Sequence, residues 1–217
     1  MKKIIHVVAG GPDEFLPDLS DYAQKDAIWI GVDKGVQLII QHGLHPDLAV
    51  GDFDSISPED FLRVKRLVPS LRQFKPEKDE TDMELAILTA LEMTPSVIKI
   101  FGATGGRLDH LMANIMMLGR FKQHHPDTSF EMIDTQNSLS VFVPGFYQIG
   151  REDEKKYVSF IPVFSDVNGL TLKGFKFPLT QHHVPLGSSL CISNELIQET
   201  GHFSFEKGIL MMIRSKD

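Results

Sequence analysis

Cysteine is nearly absent from this chain. Cys191 is alone among 217 residues, so no intrachain disulfide and no cysteine-based metal cluster forms, which fits a reducing compartment. No apolar run approaches the roughly 20 residues of a membrane span. Basic residues are also scarce: 22 Lys and Arg stand against 29 Asp and Glu, a formal net charge of −7. No concentrated basic face is left for a nucleic-acid backbone. Met1-Lys2-Lys3 precedes an apolar stretch too short for a secretory signal, and Gly10-Gly11-Pro12-Asp13 reads as a strand-ending loop, not a cleavage site. What remains is an acidic protein, expected in the cytoplasm with no membrane and no nucleic acid as partner. If such a protein handles phosphates, it must recruit metal ions and a few local cations.

The chain is long enough for one large domain or two modest ones, and its pattern favours two. Up to residue 137, apolar bursts alternate with amphipathic stretches. Strands are predicted at Ile4–Ala9, Ala27–Val32, Asp47–Gly51, Leu71–Phe74, Val97–Phe101 and Phe130–Ile133. Helices are predicted between Asp33 and His42, from Pro58 through Val68, over Asp82–Met93 and over Leu108–Phe121. Strands alternating with helices imply an α/β domain, a mostly parallel doubly wound sheet with helices on both faces. From residue 138 the pattern changes to short β-type runs: Ser138–Val143, Gly145–Ile149, Tyr157–Phe164, Leu170–Lys173, Ser188–Ser193 and Ile209–Ile213. Gly, Pro, Asn and Asp turns separate them, the pattern of a small all-β sandwich or barrel, of which a sandwich is expected. The charge run Arg151–Lys156 reads as a solvated loop. The expected division is an α/β domain over 1–137 and an all-β domain over 138–217.

Chemistry concentrates at the strand ends. Gly51-Asp52-Phe53-Asp54-Ser55 places two carboxylates where an apolar strand runs out, the edge at which open α/β sheets bind ligands. Such a pair suits a hard cation such as Mg²⁺, shared with phosphate oxygens; it equally suits a loop that caps backbone groups. Asp33, the Lys78-Asp79-Glu80-Thr81-Asp82 segment and the Gly102–Arg107 loop fall at strand ends too. Asp33, Asp79, Thr81 and Asp82 are each acceptable helix N-caps. The loop Gly102-Ala103-Thr104-Gly105-Gly106-Arg107 is neither a Walker A motif nor a GxGxxG fingerprint. Its glycines nonetheless let backbone N–H groups approach phosphate at a helix N-terminus, and Arg107 adds a planar charged fork. Asp109 and His110 suit the first turn of that helix. Cys191 lies in an apolar run, His182-His183 reads as loop, and no nucleophile arrangement stands out. That absence fits phosphoryl-type transfer, which needs positioning and charge neutralisation more than a covalent intermediate.

Taken in order, the blocks Val32–Gly35 (VDKG), Gly51–Ser55 (GDFDS), Lys78–Asp82 (KDETD), Gly102–His110 (GATGGRLDH) and Gly174–Asn194 (GFKFPL…GSSLCISN) resemble the bacterial thiamine pyrophosphokinases along nearly the whole chain. The resemblance implies a transferase, or diphosphotransferase kinase, of thiamine diphosphate biosynthesis. It would move pyrophosphate from ATP to the thiamine hydroxyl, giving thiamine diphosphate and AMP. It also implies a Mg²⁺-dependent homodimer whose active site forms between the α/β domain of one subunit and the β domain of the other. By position, Asp52, Asp54 and Asp82 would hold Mg²⁺, with Asp33 lining the same cleft. Gly102, Thr104, Gly105, Gly106, Arg107 and Asp109 would bind the nucleotide. Ser193 and Asn194 would meet the thiamine pyrimidine, with the ring of Phe177 nearby. Arg107 would stabilise charge as AMP departs, and Asp79 or Asp82 would be the carboxylate to accept the hydroxyl proton, with alignment and metal activation expected to dominate.

Two other readings use the same residues. A phosphatase of the haloacid-dehalogenase type also carries Asp-x-Asp after a strand, but there the motif follows the first strand, and here two strand–helix units precede it. A nucleotide- or thiamine-binding regulator without turnover has less need of Asp33, Asp52, Asp54, Asp82 and Arg107 together.

Overall fold

A computed structural model of the chain describes residues 2–54, 56–75 and 77–217; Ser55 of the acidic motif lies outside them. The chain divides into two compact units, one of residues 1–117 and 130–135, the other of residues 118–129 and 136–217.

The first unit is the alternating one. Its strands are β1 (Ile4–Val8), β2 (Ile28–Val32), β3 (Leu48–Gly51), β4 (Ser70–Gln73), β5 (Val97–Phe101) and β6 (Ser129–Ile133). The helices are α1 (Gly35–Gln41), α2 (Pro58–Leu67), α3 (Asp82–Glu92) and the first part of α4 (Leu108–His124), whose residues from Leu118 on belong to the other unit. The strand order is β4-β3-β2-β1-β5-β6, and the pairings from β4 to β5 are all parallel. Residues buried on both faces explain the near-continuous apolar runs of β1, β2 and β3. Ser57 caps α2 by accepting from the Asp60 N–H at 3.1 Å, and Pro58 opens the helix. Two short 3-10 turns, Asp13–Phe15 and Leu19–Tyr22, were not expected. They bring Leu16 and Leu19 onto a cluster with Val8, Trp29, Leu38, Ile39, Phe101 and Ile133.

The second unit is all strand after the end of α4: β7 (Asn137–Phe142), β8 (Gly145–Gly150), β9 (Tyr157–Lys173), β10 (Leu179–Val184), β11 (Asn194–Glu195), β12 (Thr200–Phe205) and β13 (Lys207–Ser215). Three expectations need correction. Tyr157–Phe164 and Leu170–Lys173 are one strand of 17 residues, because the ladder continues between them through Val167 and Asn168. Ser188–Ser193 is a turn: only Cys191 of its apolar residues is buried, while Leu190 and Ile192 are exposed. His182 and His183 lie in strand β10, not in a loop. β9 pairs with β13 through its first half and with β10 and β12 through its second, so one strand serves both layers. Phe160, Phe175 and Phe203 fill the space between, with Phe160 5.0 Å from Phe203 and 5.5 Å from Phe175.

His6 is the odd residue of the α/β core. It is fully buried on β1 with the Trp29 ring 4.4 Å away and Phe101 at 5.7 Å, and neither ring nitrogen has a hydrogen-bond partner. Burial, helped by the nearby Lys99 ammonium, pushes its pKa down to about 4 from 6.5. The unfolded chain therefore binds a proton between pH 6.5 and 4 that the folded chain refuses, so stability falls as pH drops through that window. A loss of about 3 kcal/mol follows at about 1.4 kcal/mol per pH unit. Urea midpoints of wild type and His6→Phe, compared at pH 7.5 and pH 4.5, should show the wild type losing more stability, by that order.

Candidate active site

Loops at the C-terminal ends of the parallel strands line a cleft of about 1180 Å³, built entirely from the first unit. The topology explains its place. After β1 the chain builds outward through β2, β3 and β4, then returns to add β5 on the other side of β1. The loops that follow β1 and β5 therefore diverge over a crevice, the switch point at which such sheets bind ligands. The two loops are tied together: the Gly11 N–H donates to the Gly102 carbonyl at 2.8 Å. A Cβ on Gly11 would lie 2.4 Å from that carbonyl oxygen, so only glycine permits the approach.

On the other side of the crevice, carboxylate oxygens of Asp33, Asp52 and Asp82 lie within 4.8 Å of one another. Neither Asp33 nor Asp82 is a cap. The N-cap of α1 is Lys34, without a side-chain bond, and Thr81 caps α3 by accepting from the Glu84 N–H at 3.2 Å. Both carboxylates are thereby released to the cleft. Asp33 has a left-handed backbone (φ 47°) and its carboxylate accepts from the Phe53 N–H at 3.3 Å. A Cβ on Gly51 would fall 1.9 Å from Asp33 Oδ1, so the glycine of the acidic motif makes room for this side chain. Phe53 is also left-handed (φ 60°), a costly state for a bulky residue. Its ring is held in the core, 5.2 Å from Phe61 and packed with Val36, Ala49, Val64 and Val68. Asp52 is thus turned into the cleft, whereas Asp54 is exposed and outside the close group. The Asp54 N–H donates to Asp52 at 3.1 Å, and the Asp52 charge holds the Asp54 carboxyl above its ordinary pKa.

Burial and crowding both show in Asp33. Burial, with the Asp82 charge second, pushes its pKa up to about 6 against the pull of the Phe53 N–H. Lys78 answers part of the negative charge: its ammonium is 2.7 Å from Asp82 and 3.9 Å from Asp52. Oxygen donors alone, with no nitrogen or sulfur, suit a hard divalent cation.

The glycine-rich loop borders the cleft through Gly102, Thr104, Gly106 and Arg107. Gly105 instead packs away from it, where a Cβ would meet the Phe15 ring at 2.1 Å. Arg107 and Asp109 are paired through two hydrogen bonds, both side chains well exposed. The fork expected to meet phosphate is therefore preformed on a carboxylate. Asp79 is exposed and does not line the cleft, although Lys78 and Glu80 do. Sequence reasoning missed the contributions of Lys78 and of Ala9–Glu14. The only signal was their position, a lysine in the KDETD block and paired glycines after a strand.

In the second unit Asn194 is buried and its amide clamps the backbone of Phe177. Its Oδ1 accepts from the Phe177 N–H at 3.0 Å and its Nδ2 donates to the Phe177 carbonyl at 2.8 Å. The Phe177 ring, 57 % exposed, stands free of the core. Ser193 is exposed and left-handed (φ 55°), its N–H donating to Ser159 Oγ at 2.9 Å.

Comparison with known proteins bears directly on this geometry. Residues 19–130 match the thiamin pyrophosphokinase catalytic domain, and residues 147–210 match the thiamin pyrophosphokinase vitamin B1 binding domain. The thiamine pyrophosphokinase of Bacillus subtilis (strain 168) is 48 % identical over 215 residues, 99 % of this chain and all of that one. The chain belongs to the thiamine pyrophosphokinase family. Among solved structures, thiamine pyrophosphokinase from Bacillus subtilis superposes with a TM-score of 0.93 at 47 % identity, covering 99 % of this chain and 100 % of that one. The Geobacillus thermodenitrificans protein gives 0.89 at 48 % identity, with 99 % and 98 % covered. Thiamine pyrophosphokinases are ATP-using diphosphotransferases, a chemistry that generally needs a divalent metal. Among the described residues no helix is long and apolar enough to cross a membrane.

The raised pKa of Asp33 sets a stability cost in this member of the family. Above about pH 6 the folded protein holds a carboxylate that the unfolded chain ionises more readily, and below about pH 4 the difference vanishes. Asn at this position keeps the acceptor for Phe53 and removes the charge. Asp33→Asn should therefore stabilise the metal-free protein by about 2 kcal/mol at pH 7.5, the gain shrinking as pH falls towards 4. Urea unfolding in the presence of a chelator measures it.

Proposed function

We propose that this cleft binds Mg²⁺–ATP and transfers its terminal diphosphoryl group to the hydroxyl of thiamine, releasing AMP. The observation that carries the reading is the meeting of the three-carboxylate cluster and the glycine-rich switch-point loop in one cleft. Asp33, Asp52 and Asp82 would hold Mg²⁺, with Asp54 next to the group through its bond to Asp52. Bound there, the ion would neutralise phosphate oxygens and make the β-phosphorus more electrophilic.

The protein's own groups do the rest. Backbone N–H groups around Gly102, Thr104 and Gly106 cradle phosphate at the start of α4, where the helix dipole favours negative charge. Asp109 orients the Arg107 guanidinium, which stabilises charge growing on the α,β-bridging oxygen as its bond to the β-phosphorus breaks. A new bond forms from the thiamine oxygen to the same phosphorus, and the hydroxyl proton passes to a carboxylate at the metal side or to water. Asp82 faces that side whereas Asp79 faces solvent, which supports Asp82 over Asp79 in that role. Phe177, held by Asn194, offers its ring to the heterocyclic substrate, with Ser193 and Asn194 as polar partners of the pyrimidine. Action as a homodimer in the cytoplasm completes the reading. Leu108, Met112 and Met116, exposed at four-residue spacing on α4, support a partner surface.

Incubation with Mg²⁺, ATP and thiamine should give AMP and thiamine diphosphate by mass; ADP as co-product would reject diphosphoryl transfer. In single-turnover measurements Asp82→Asn should slow the chemical step by about 10² or more, and Asp79→Asn by less than about threefold. Light scattering should return twice the chain mass, and a monomer mass at full activity would remove the dimer from this account.

A further inference from the structure

Lys78 sits where a metal ion would compete with it. Its Nζ lies 2.7 Å from Asp82 and 3.9 Å from Asp52, and those two carboxylates belong to the three-carboxylate group. All three side chains are nearly closed off from solvent, at 13 % exposure for Lys78, 14 % for Asp52 and 19 % for Asp82. These are not the screened ion pairs of an open surface. Three carboxylates with their oxygens within 4.8 Å repel one another strongly, and one ammonium offsets only part of that repulsion. A divalent cation on the same oxygens would do more, but it would stand beside the ammonium and be repelled by it. The two cations are therefore alternatives on Asp82.

The lysine has somewhere to go. Its four-carbon stem is flexible and its charge is a compact point. Lys78 lines the same cleft as the Gly102–Arg107 loop, across which the phosphates of a nucleotide would lie. A triphosphate brings several negative oxygens to which an ammonium can transfer.

We propose that Lys78 is a built-in counter-ion: it holds the acidic site together without metal, and moves onto the nucleotide's phosphates when metal and nucleotide enter. This rests on the reading that Asp33, Asp52 and Asp82 form the metal site. The consequence is coupling. Metal alone must displace the ammonium into water and binds weakly, whereas metal with nucleotide provides the ammonium with a new partner. Each ligand then tightens the other by the same factor. Lys78 is thus a positioning residue that sets the order of assembly.

The test titrates Mn²⁺, followed by the spectrum of the free ion, with and without α,β-methylene-ATP, whose α–β link cannot be cleaved. In the wild type the analogue should tighten Mn²⁺ at least tenfold. Lys78→Gln and Lys78→Met should bind Mn²⁺ alone at least fivefold more tightly than wild type, and the analogue should add less than threefold. Lys78→Arg, which keeps the charge, should resemble wild type. Lys34→Gln, which removes a cleft charge not paired to the cluster, should leave the coupling factor unchanged. Lys78→Gln binding Mn²⁺ alone no more tightly than wild type, or an unchanged coupling factor, would overturn the proposal. Asp52→Asn should lose Mn²⁺ with and without the analogue. If it keeps Mn²⁺ while its circular dichroism is native, the metal site itself has been misassigned and the counter-ion role falls with it. A purely structural lysine would lower affinity or leave it alone, and a lysine that only repels the ion through space would leave the coupling factor unchanged; a gain in Mn²⁺ affinity together with lost coupling is specific to displacement.

Discussion

Like charges forced together in a half-buried place raise free energy, and much of the α/β unit is arranged to tolerate such a place. Three carboxylates share one small volume at the edge of the sheet. Left to themselves they would separate or take up protons, and the Asp33 carboxyl, raised first by burial and then by the Asp82 charge, is moved towards the second response. What keeps them together is rigid backbone. Asp33 follows β2, Asp52 follows β3, and Asp82 opens α3 beneath a Thr81 cap. Each carboxylate is fixed by an element whose own stability comes from apolar burial elsewhere. The unit therefore accepts electrostatic strain at one edge because the core behind it is large enough to hold it there.

The backbone strain follows the same logic. Asp33 and Phe53 both sit in the left-handed region, and both flank the acidic motif or face it. Phe53 is the clearer case, since its ring is anchored among core residues while its neighbours on either side are acidic. The buried ring decides which aspartate turns inward. Gly51 completes the arrangement by leaving the space that the Asp33 carboxylate occupies. Hydrophobic packing, through a phenylalanine and a missing Cβ, thus sets the geometry of the most polar group in the unit.

The parallel strands were legible in the sequence because strands buried on both faces must read as apolar runs, and helices between them keep their own period. The carboxylates were legible because acidic residues at strand ends have few bland uses in such numbers. Membership of the close group was not, since Asp33 rather than Asp54 joins it through the φ of Phe53, which no residue pattern prints. Lys78 escaped notice for a related reason: an ion pair depends on side-chain reach within a folded turn. In the all-β unit, Asp166, Asn168 and Gly169 carry turn chemistry yet lie inside a strand, because ladder partners on β10 and β13 override local preference. Leu190-Cys191-Ile192 erred in the other direction. Its composition suits a strand, but the turn exposes two of the three residues.

The length of β9 has a mechanical meaning. Sandwiches whose layers share no strand can be pried apart by sliding one sheet over the other, with only side chains resisting. Here a single covalent ribbon of 17 residues is stitched into both layers, its first half to β13 and its second to β10 and β12. To open the layers, that ribbon must first be unzipped from one of them. The Asn194 clamp on Phe177 is tied to the same ribbon, since Asn194 pairs with Val158 of β9. A sandwich built this way keeps its shape under load, like a folded sheet creased along a seam that is never cut.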